Sequence, residues 1–128
     1  MKVLDSDILI GILRNNEDAI NKILELEDDD IGITIFSWQE LLFGPAVTGN
    51  EEEFKSALEL LNSYRHLNYE KEAVFHTVKI LTQLKKTGKP IGVIDGMIAG
   101  VCLQYNAAIV TRNLEHFSRV PGLQVVSW

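Results

Sequence analysis

Three shortages bound what this 128-residue chain can do. Cysteine is almost absent: Cys102, in the apolar stretch "MIAGVCLQY", has no second thiol to pair with. No disulfide can form within the chain, and a reducing, cytoplasmic setting is expected. Long hydrophobic runs are missing too. No apolar stretch nears the ~20 residues of a membrane span, and the first residues have neither the apolar core nor the cleavage site of a leader peptide, so no membrane partner is expected. Positive charge is in deficit: 12 Lys and Arg against 18 Asp and Glu give a net charge of −6. That balance argues against wholesale electrostatic adhesion to nucleic acid, while leaving room for a local basic rim.

What is present suits one domain. Hydrophobic residues make up 46% of the chain and charged residues 23%, enough apolar material for a core without staples, so residues 1–128 are read as a single unit. The acidic runs "NNEDA", "ELEDDD" and "NEEEF" fall where helix ends and loops are expected, and most read as solvated surface. Residues 2–5 and the β-branched run "IGITIF" at 31–36 read as buried strands; "AAIVT" at 107–111 and "LQVVSW" at the end of the chain read likewise. Helices are expected after the first strand, capped by Ser6 or Asp7; over "EDAINKILELED"; over "SWQELLFGP", begun by Ser37 and stopped at Gly44-Pro45; after an Asn50 cap; and over about 70–86, with Val74, Val78, Leu81 and Leu84 inward. "DGMIAGVCLQY" at 95–105 is apolar nearly all round and should be central. Short apolar strands alternating with helices predict an α/β fold, a three-layer α/β/α sandwich with a mainly parallel central sheet.

In such a sheet every strand-to-helix junction lies at the carboxyl edge, where open α/β folds form their functional crevice. Asp5 ends the first strand, Glu40 sits one turn into the helix after the second, Asp95 begins the central helix, and Asn113 follows the 107–111 strand. Asp7 is a junction residue as well. Each has a local alternative. Ser37 to Glu40 matches a capping box, Asp95 could be an N-cap worth roughly 1 kcal/mol, and Asn113 could be a turn or cap residue. Asp5, a carboxylate amid apolar neighbours, is the hardest to explain locally. Three carboxylates at one edge repel and raise each other's pKa unless a cation neutralises them. Oxygen ligands without a His/Cys cluster favour Mg²⁺ or Mn²⁺, and an ion so held suits phosphodiester cleavage by activated water.

Four stretches, "LDSDILI" with Asp5, "TIFSWQELLFG" with Glu40, "KPIGVIDGMIAG" with Asp95 and "IVTRNLEHFSRVPGLQVVSW" with Asn113, together resemble the PIN domain, in particular the VapC-type toxins of toxin-antitoxin pairs. The resemblance runs in order over nearly the whole chain. It implies a Mg²⁺-dependent endoribonuclease, a homodimer held inactive by a small antitoxin protein whose segment covers the acidic pocket. It carries metal-binding roles onto Asp5, Glu40 and Asp95, and a catalytic place onto Asn113 at a fourth, often acidic, position. Ser6 matches a small hydroxyl position that orients Asp5 or contacts phosphate. The chain departs from the pattern in the neutral Asn113, in Val93 and Ile94 where relatives are more polar, and in Asp7 where Asn or Ser is common. There Asp7 is an extra carboxylate.

Further candidates carry less specific signals. Arg112 adjoins Asn113 and could contact phosphate or form a surface ion pair. Arg14, Lys85, Lys86 and Lys89 could form a basic rim that positions RNA, or a solvated helix face. His116 has no paired histidine at ligand spacing. Trp38, Leu42 and Phe43 could meet a dimer mate or antitoxin helix, or pack in the core. Two rival functions stand beside the nuclease: a haloacid-dehalogenase-type phosphatase, suggested by Asp5-x-Asp7 but lacking the threonine that Leu9 displaces, and a non-catalytic protein-binding α/β module in which Glu40 and Asp95 only cap helices.

Overall fold

A computed structural model describes residues 1–128. The elements run β1 (Lys2–Leu4), α1 (Ser6–Leu13), α2 (Glu17–Glu25), β2 (Ile31–Thr34), α3 (Ile35–Thr48), α4 (Glu51–Asn62), β3 (Arg65–Leu67), α5 (Lys71–Lys86), α6 (Val93–Gln104), β4 (Ala108–Val110), α7 (Leu114–Phe117) and β5 (Val125–Val126). The five strands form one sheet in the order β3-β2-β1-β4-β5, every pair parallel. Helices cover both faces, as the α/β/α expectation requires. One core joins Val3 and Ile109 to α5, α6 and Phe117; the other joins Leu4, Ile33 and Val110 to α1, α3 and α4. Alternate residues of β1 and β4 thus feed opposite layers, Val3 and Ile109 one and Leu4 and Val110 the other, the two-residue alternation of a pleated strand.

Several sequence expectations need correction. α3 begins at Ile35, two residues before Ser37, and runs through Gly44 and Pro45 to Gly49, whose φ of 71° makes the left-handed stop. Ser37 is buried within the helix and caps nothing, so the capping box with Glu40 does not form. α1 is capped by Asp5, whose side chain accepts from the Ser6 N–H, not by Ser6 or Asp7. α6 starts at Val93, which places Asp95 inside its first turn and excludes an N-cap role. β3 had no counterpart in the sequence reading, because two of its three residues are exposed on an edge strand.

The inward face of α5 is the largest revision. Ala73, Thr77, Ile80 and Leu84 are buried, while Val74 and Val78 face out. Small residues win because α6 approaches closely. A Cβ at Gly96 would stand 2.6 Å from Leu81 Cδ2, and one at Gly100 would strike Thr77 Oγ1 and stand 2.6 Å from the Ala73 carbonyl oxygen. The pairing also fixes direction. Ala73 N–H donates to Gln104 Oε1 at 3.0 Å, and Thr77 Oγ1 donates to the Gly96 carbonyl at 3.2 Å, so α5 and α6 lie antiparallel. The end of α5 therefore returns to the edge where α6 begins. That edge is the one that carries Asp95.

Candidate active site

Asp5 leaves β1 at the carboxyl edge and is 8% exposed. Its Oδ1 accepts from Ser6 N–H at 2.9 Å and its Oδ2 from Thr111 Oγ1 at 2.7 Å. Burial pushes its pKa up from 3.8 to about 7; the Thr111 bond and the Ser6 N–H oppose that rise, and the charges of Asp7 and Glu40 add to it. No cationic side chain is among the groups acting on it. Glu40 reaches the same place from α3, accepting a 2.6 Å bond from Ser6 Oγ. Ser6 thus spans two carboxylates, with its N–H on Asp5 and its hydroxyl on Glu40.

Thr111, one residue beyond β4, is the second hub. Its hydroxyl lies 2.7 Å from Asp5 and 3.1 Å from Asp7 Oδ2, and it accepts from Asn113 N–H at 3.0 Å. Asn113 Nδ2 in turn donates to Asp95 Oδ2 at 3.3 Å, and His116 Nδ1 lies 2.8 Å from the same oxygen. The acceptor on Nδ1 fixes the proton there. A continuous set of bonds therefore links Glu40, Ser6, Asp5, Thr111, Asn113, Asp95 and His116 along one rim of the sheet.

Asp7 is tied down differently. Trp128 Nε1 donates to its Oδ1 at 3.0 Å and Arg112 N–H to its Oδ2 at 2.7 Å, so both oxygens are engaged within the chain. Arg112 lies 3.6 Å above the Trp128 ring, donates through Nε to the Trp128 carbonyl at 3.1 Å and pairs with exposed Asp18 at 3.1 Å. Its guanidinium braces the end of the chain. Trp38 and Leu42 pack against the α1, α3 and α4 core, whereas Phe43 is 69% exposed. Thr111, His116 and Trp128 are the contributors that sequence reasoning missed or set aside. Only Thr111 carried a usable signal, a hydroxyl at the strand terminus beside Asn113.

No three His, Cys, Asp or Glu side chains stand within reach of one ion as the rim is arranged. Asp5, Glu40 and Asp95 share an edge through Ser6, Thr111 and Asn113 rather than a closed cage. The donor chemistry nevertheless fits a hard divalent cation: carboxylates and an amide, with a desolvated Asp5 that lacks a counter-charge. Mg²⁺ typically keeps several waters and uses only one or two carboxylates, which an open rim permits.

A parallel five-stranded sheet flanked by helices, with acidic side chains gathered at its carboxyl edge, defines the class. The model of the PIN domain matches residues 2–123, and the chain belongs to that family. It is similar to the tRNA(fMet)-specific endonuclease VapC of Salmonella typhimurium, 28% identical with 98% of this chain and 96% of the relative covered, and to ribonuclease VapC1 of Haemophilus influenzae, 32% identical with the same coverage. Among solved structures, VapBC2 of Rickettsia felis bound to a promoter DNA fragment superposes with a TM-score of 0.88 at 25% identity, over 99% of this chain and 98% of the other. VapBC of Salmonella typhimurium, also DNA-bound, gives 0.81 at 27%, over 99% and 97%. These matches displace the phosphatase as a reading of the fold, and the bounds of α3 and α6 remove the capping roles of Glu40 and Asp95.

Proposed function

We propose that this protein is the ribonuclease toxin of a toxin-antitoxin pair, a divalent-metal-dependent endoribonuclease acting in the cytoplasm. The relatives named as ribonucleases and endonucleases, matched nearly end to end, support the nuclease class. The observation that carries the metal is Asp5: a buried carboxylate raised to about 7, flanked by Asp7 and Glu40 and without a cation. Held by one or two of the carboxylates of Asp5, Glu40 and Asp95 and through water by the rest, Mg²⁺ or Mn²⁺ would supply an activated water and neutralise charge on the phosphate.

The chain's own residues have separable tasks. Ser6 holds Glu40 toward Asp5; Thr111 holds Asp5 and, through Asn113, aligns the segment that meets Asp95; His116 fixes the Asp95 carboxylate. Asn113 offers a carbonyl oxygen to metal or water without adding charge. Ser6 and Arg112 remain the nearest groups of this set for a phosphate, with Arg112 reaching one only by loosening its pairing with Asp18.

A partner is part of the reading. A cavity of about 360 Å³ lies between α1, α3 and α4, lined by Ile10, Leu13, Arg14, Glu40 and Pro45 among others, and so touches the rim through Glu40. The VapBC complexes among the structural relatives support an antitoxin partner, and this cavity beside the rim is where its segment would sit. The outward Phe43, Phe75 and Val78 support a homodimer, to be read by sedimentation.

The test is RNA cleavage by purified protein. Activity should vanish with EDTA, return with Mg²⁺ or Mn²⁺, and be lost in Asp5→Asn at unchanged fold. A fully active Asp5→Asn protein, or cleavage that persists in chelator, refutes the assignment.

A further inference from the structure

We propose that the open concavity between the end of α5 and the end of α7 is a phosphate-binding track that holds the RNA strand beside the carboxylate rim. The proposal rests on the ribonuclease reading and adds to it the part of the surface that grips the substrate.

The charge distribution along the chain is the first observation. Between Glu72 and Asp95 there is no acidic residue, while Lys79, Lys85, Lys86 and Lys89 fall in that stretch of a chain whose net charge is −6. The second is where folding puts them. Lys86, Thr87 and Lys89 line one concavity of about 870 Å³ with Gln83, Ser118 and Arg119. Three cations, two hydroxyls and an amide share one dent. The ion pairs of the chain include neither Lys86 nor Lys89. Arg119 is held in place, donating to the Pro90 carbonyl at 3.0 Å and to Glu115 at 3.1 Å, so one carboxylate faces three positive charges.

The third observation is adjacency. α7 places His116 on Asp95 at 2.8 Å, and the residues immediately after α7, Ser118 and Arg119, line the concavity. Arg119 also ties α7 to Pro90, two residues before Gly92, the cap of the helix that carries Asp95. The track and the rim are thus two sides of the same short helix.

Two lysines without an ion-pair partner, beside a fixed arginine in a concave surface, attract a polyanion, and the Gln83 amide supplies a neutral donor of the kind phosphate contacts use, the Thr87 and Ser118 hydroxyls being turned to the Leu84 and Glu115 carbonyls. Solvated lysines on a convex helix face would lack both the shared dent and the fixed arginine. A phosphodiester strand that crosses the rim can continue into this concavity, so the acidic chain repels RNA broadly and holds it here.

The experiment uses the full chain with Asp5→Asn, which leaves the RNA uncut, and a fluorescent single-stranded RNA of about 12 nucleotides titrated from roughly 50 to 200 mM salt in Mg²⁺. Lys86→Gln with Lys89→Gln should weaken binding about tenfold and flatten the slope of log K against log salt by about 1.4, two contacts at about 0.7 each. Lys55→Gln with Lys71→Gln makes the same change in net charge away from the concavity, and should leave the slope unchanged. If the two pairs behave alike while the Asp5-containing protein cuts RNA, the track is wrong and the nuclease stands. If the Asp5-containing protein neither binds nor cuts RNA, both readings fall.

Discussion

Replacing Asp5 by Asn should make the metal-free protein more stable at pH 8 and leave it nearly unchanged at pH 3, below both pKa values. The carboxyl has a folded pKa of about 7 against 3.8 for the unconstrained group, because burial disfavours its charge. Between those values the folded state holds a proton that the unfolded chain has released, so stability falls as pH rises from about 4 to about 7 and is flat above. At 1.36 kcal/mol per pKa unit the full difference is about 4 kcal/mol, an upper limit once the site relaxes; about 2 kcal/mol is the working figure. Asparagine keeps the N-cap acceptor for Ser6 N–H through its oxygen, and its Nδ2 can donate to Thr111 Oγ1 while the hydroxyl proton turns to Asp7 Oδ2, so the charge is lost without stranding a partner. For a domain of this length that gain corresponds to a Tm higher by roughly 6–10 °C at pH 8. Calorimetry in EDTA at both pH values measures it. Added Mn²⁺ should narrow the gap by stabilising the carboxylate-bearing protein alone. An Asn variant less stable at pH 8, or equally shifted at both pH values, would show that Asp5 is not a charge held against its solvation.

Three further outcomes follow from the same geometry. Glu40→Gln should change stability by under about 1 kcal/mol in urea, because α3 begins at Ile35 and does not use Glu40 as a cap, yet RNA cleavage should fall at least about 100-fold; loss of fold would restore the capping role. His116→Ala removes the donor on Asp95, and the metal concentration giving half-maximal cleavage should rise about 10- to 100-fold with little shift in Tm; an unmoved midpoint would reduce His116 to a surface residue. Gly100→Ala should lower stability by about 1–3 kcal/mol, since its Cβ strikes Thr77 and the Ala73 carbonyl, whereas Gly44→Ala, with nothing within 4 Å, should gain roughly 0.5–1 kcal/mol in the same urea titration.

How far the fold was legible in the sequence depended on which force decided each element. The strands within the runs at 2–5, 31–36 and 107–111 are mostly buried, so composition marks them, and the parallel sheet and its functional edge follow; the second strand nevertheless ends at Thr34, and Ile35, 58% exposed, already opens α3. β3 shows the limit: Arg65 and His66 are exposed, and the strand exists because β2 offers a partner to which it pairs, Gly32 opposite Arg65 and Ile33 opposite His66. α5 shows another. Hydrophobicity favours Val74 and Val78 as the inward face, but the glycines of α6 invite a close approach that only Ala73 and Thr77 fit, and proximity outweighs the larger apolar areas. The site divides the same way. Asp5, Glu40, Asp95 and Asn113 are visible as chemistry at predictable junctions. Thr111 and Trp128 act by contacts with Asp5 and Asp7 more than 100 residues away in sequence, which no local pattern encodes.

The distribution of charge gives the proposed activity its physical logic. A rim bearing Asp5, Glu40 and Asp95 repels phosphate while it lacks a cation, and the cost is already visible in Asp5, which burial and neighbouring carboxylates push toward protonation. A divalent ion held there would reverse the sign at that spot, so that substrate binding and metal loading would be linked and each should tighten the other. Lys86, Lys89 and Arg119 are free of that dependence. RNA affinity should therefore divide into a metal-dependent part lost with EDTA and a salt-dependent part that survives it. Titrating RNA with and without Mg²⁺ in the Lys86→Gln, Lys89→Gln background separates the two, and a residual affinity that EDTA abolishes completely in the parent protein would leave the basic flank with no independent role.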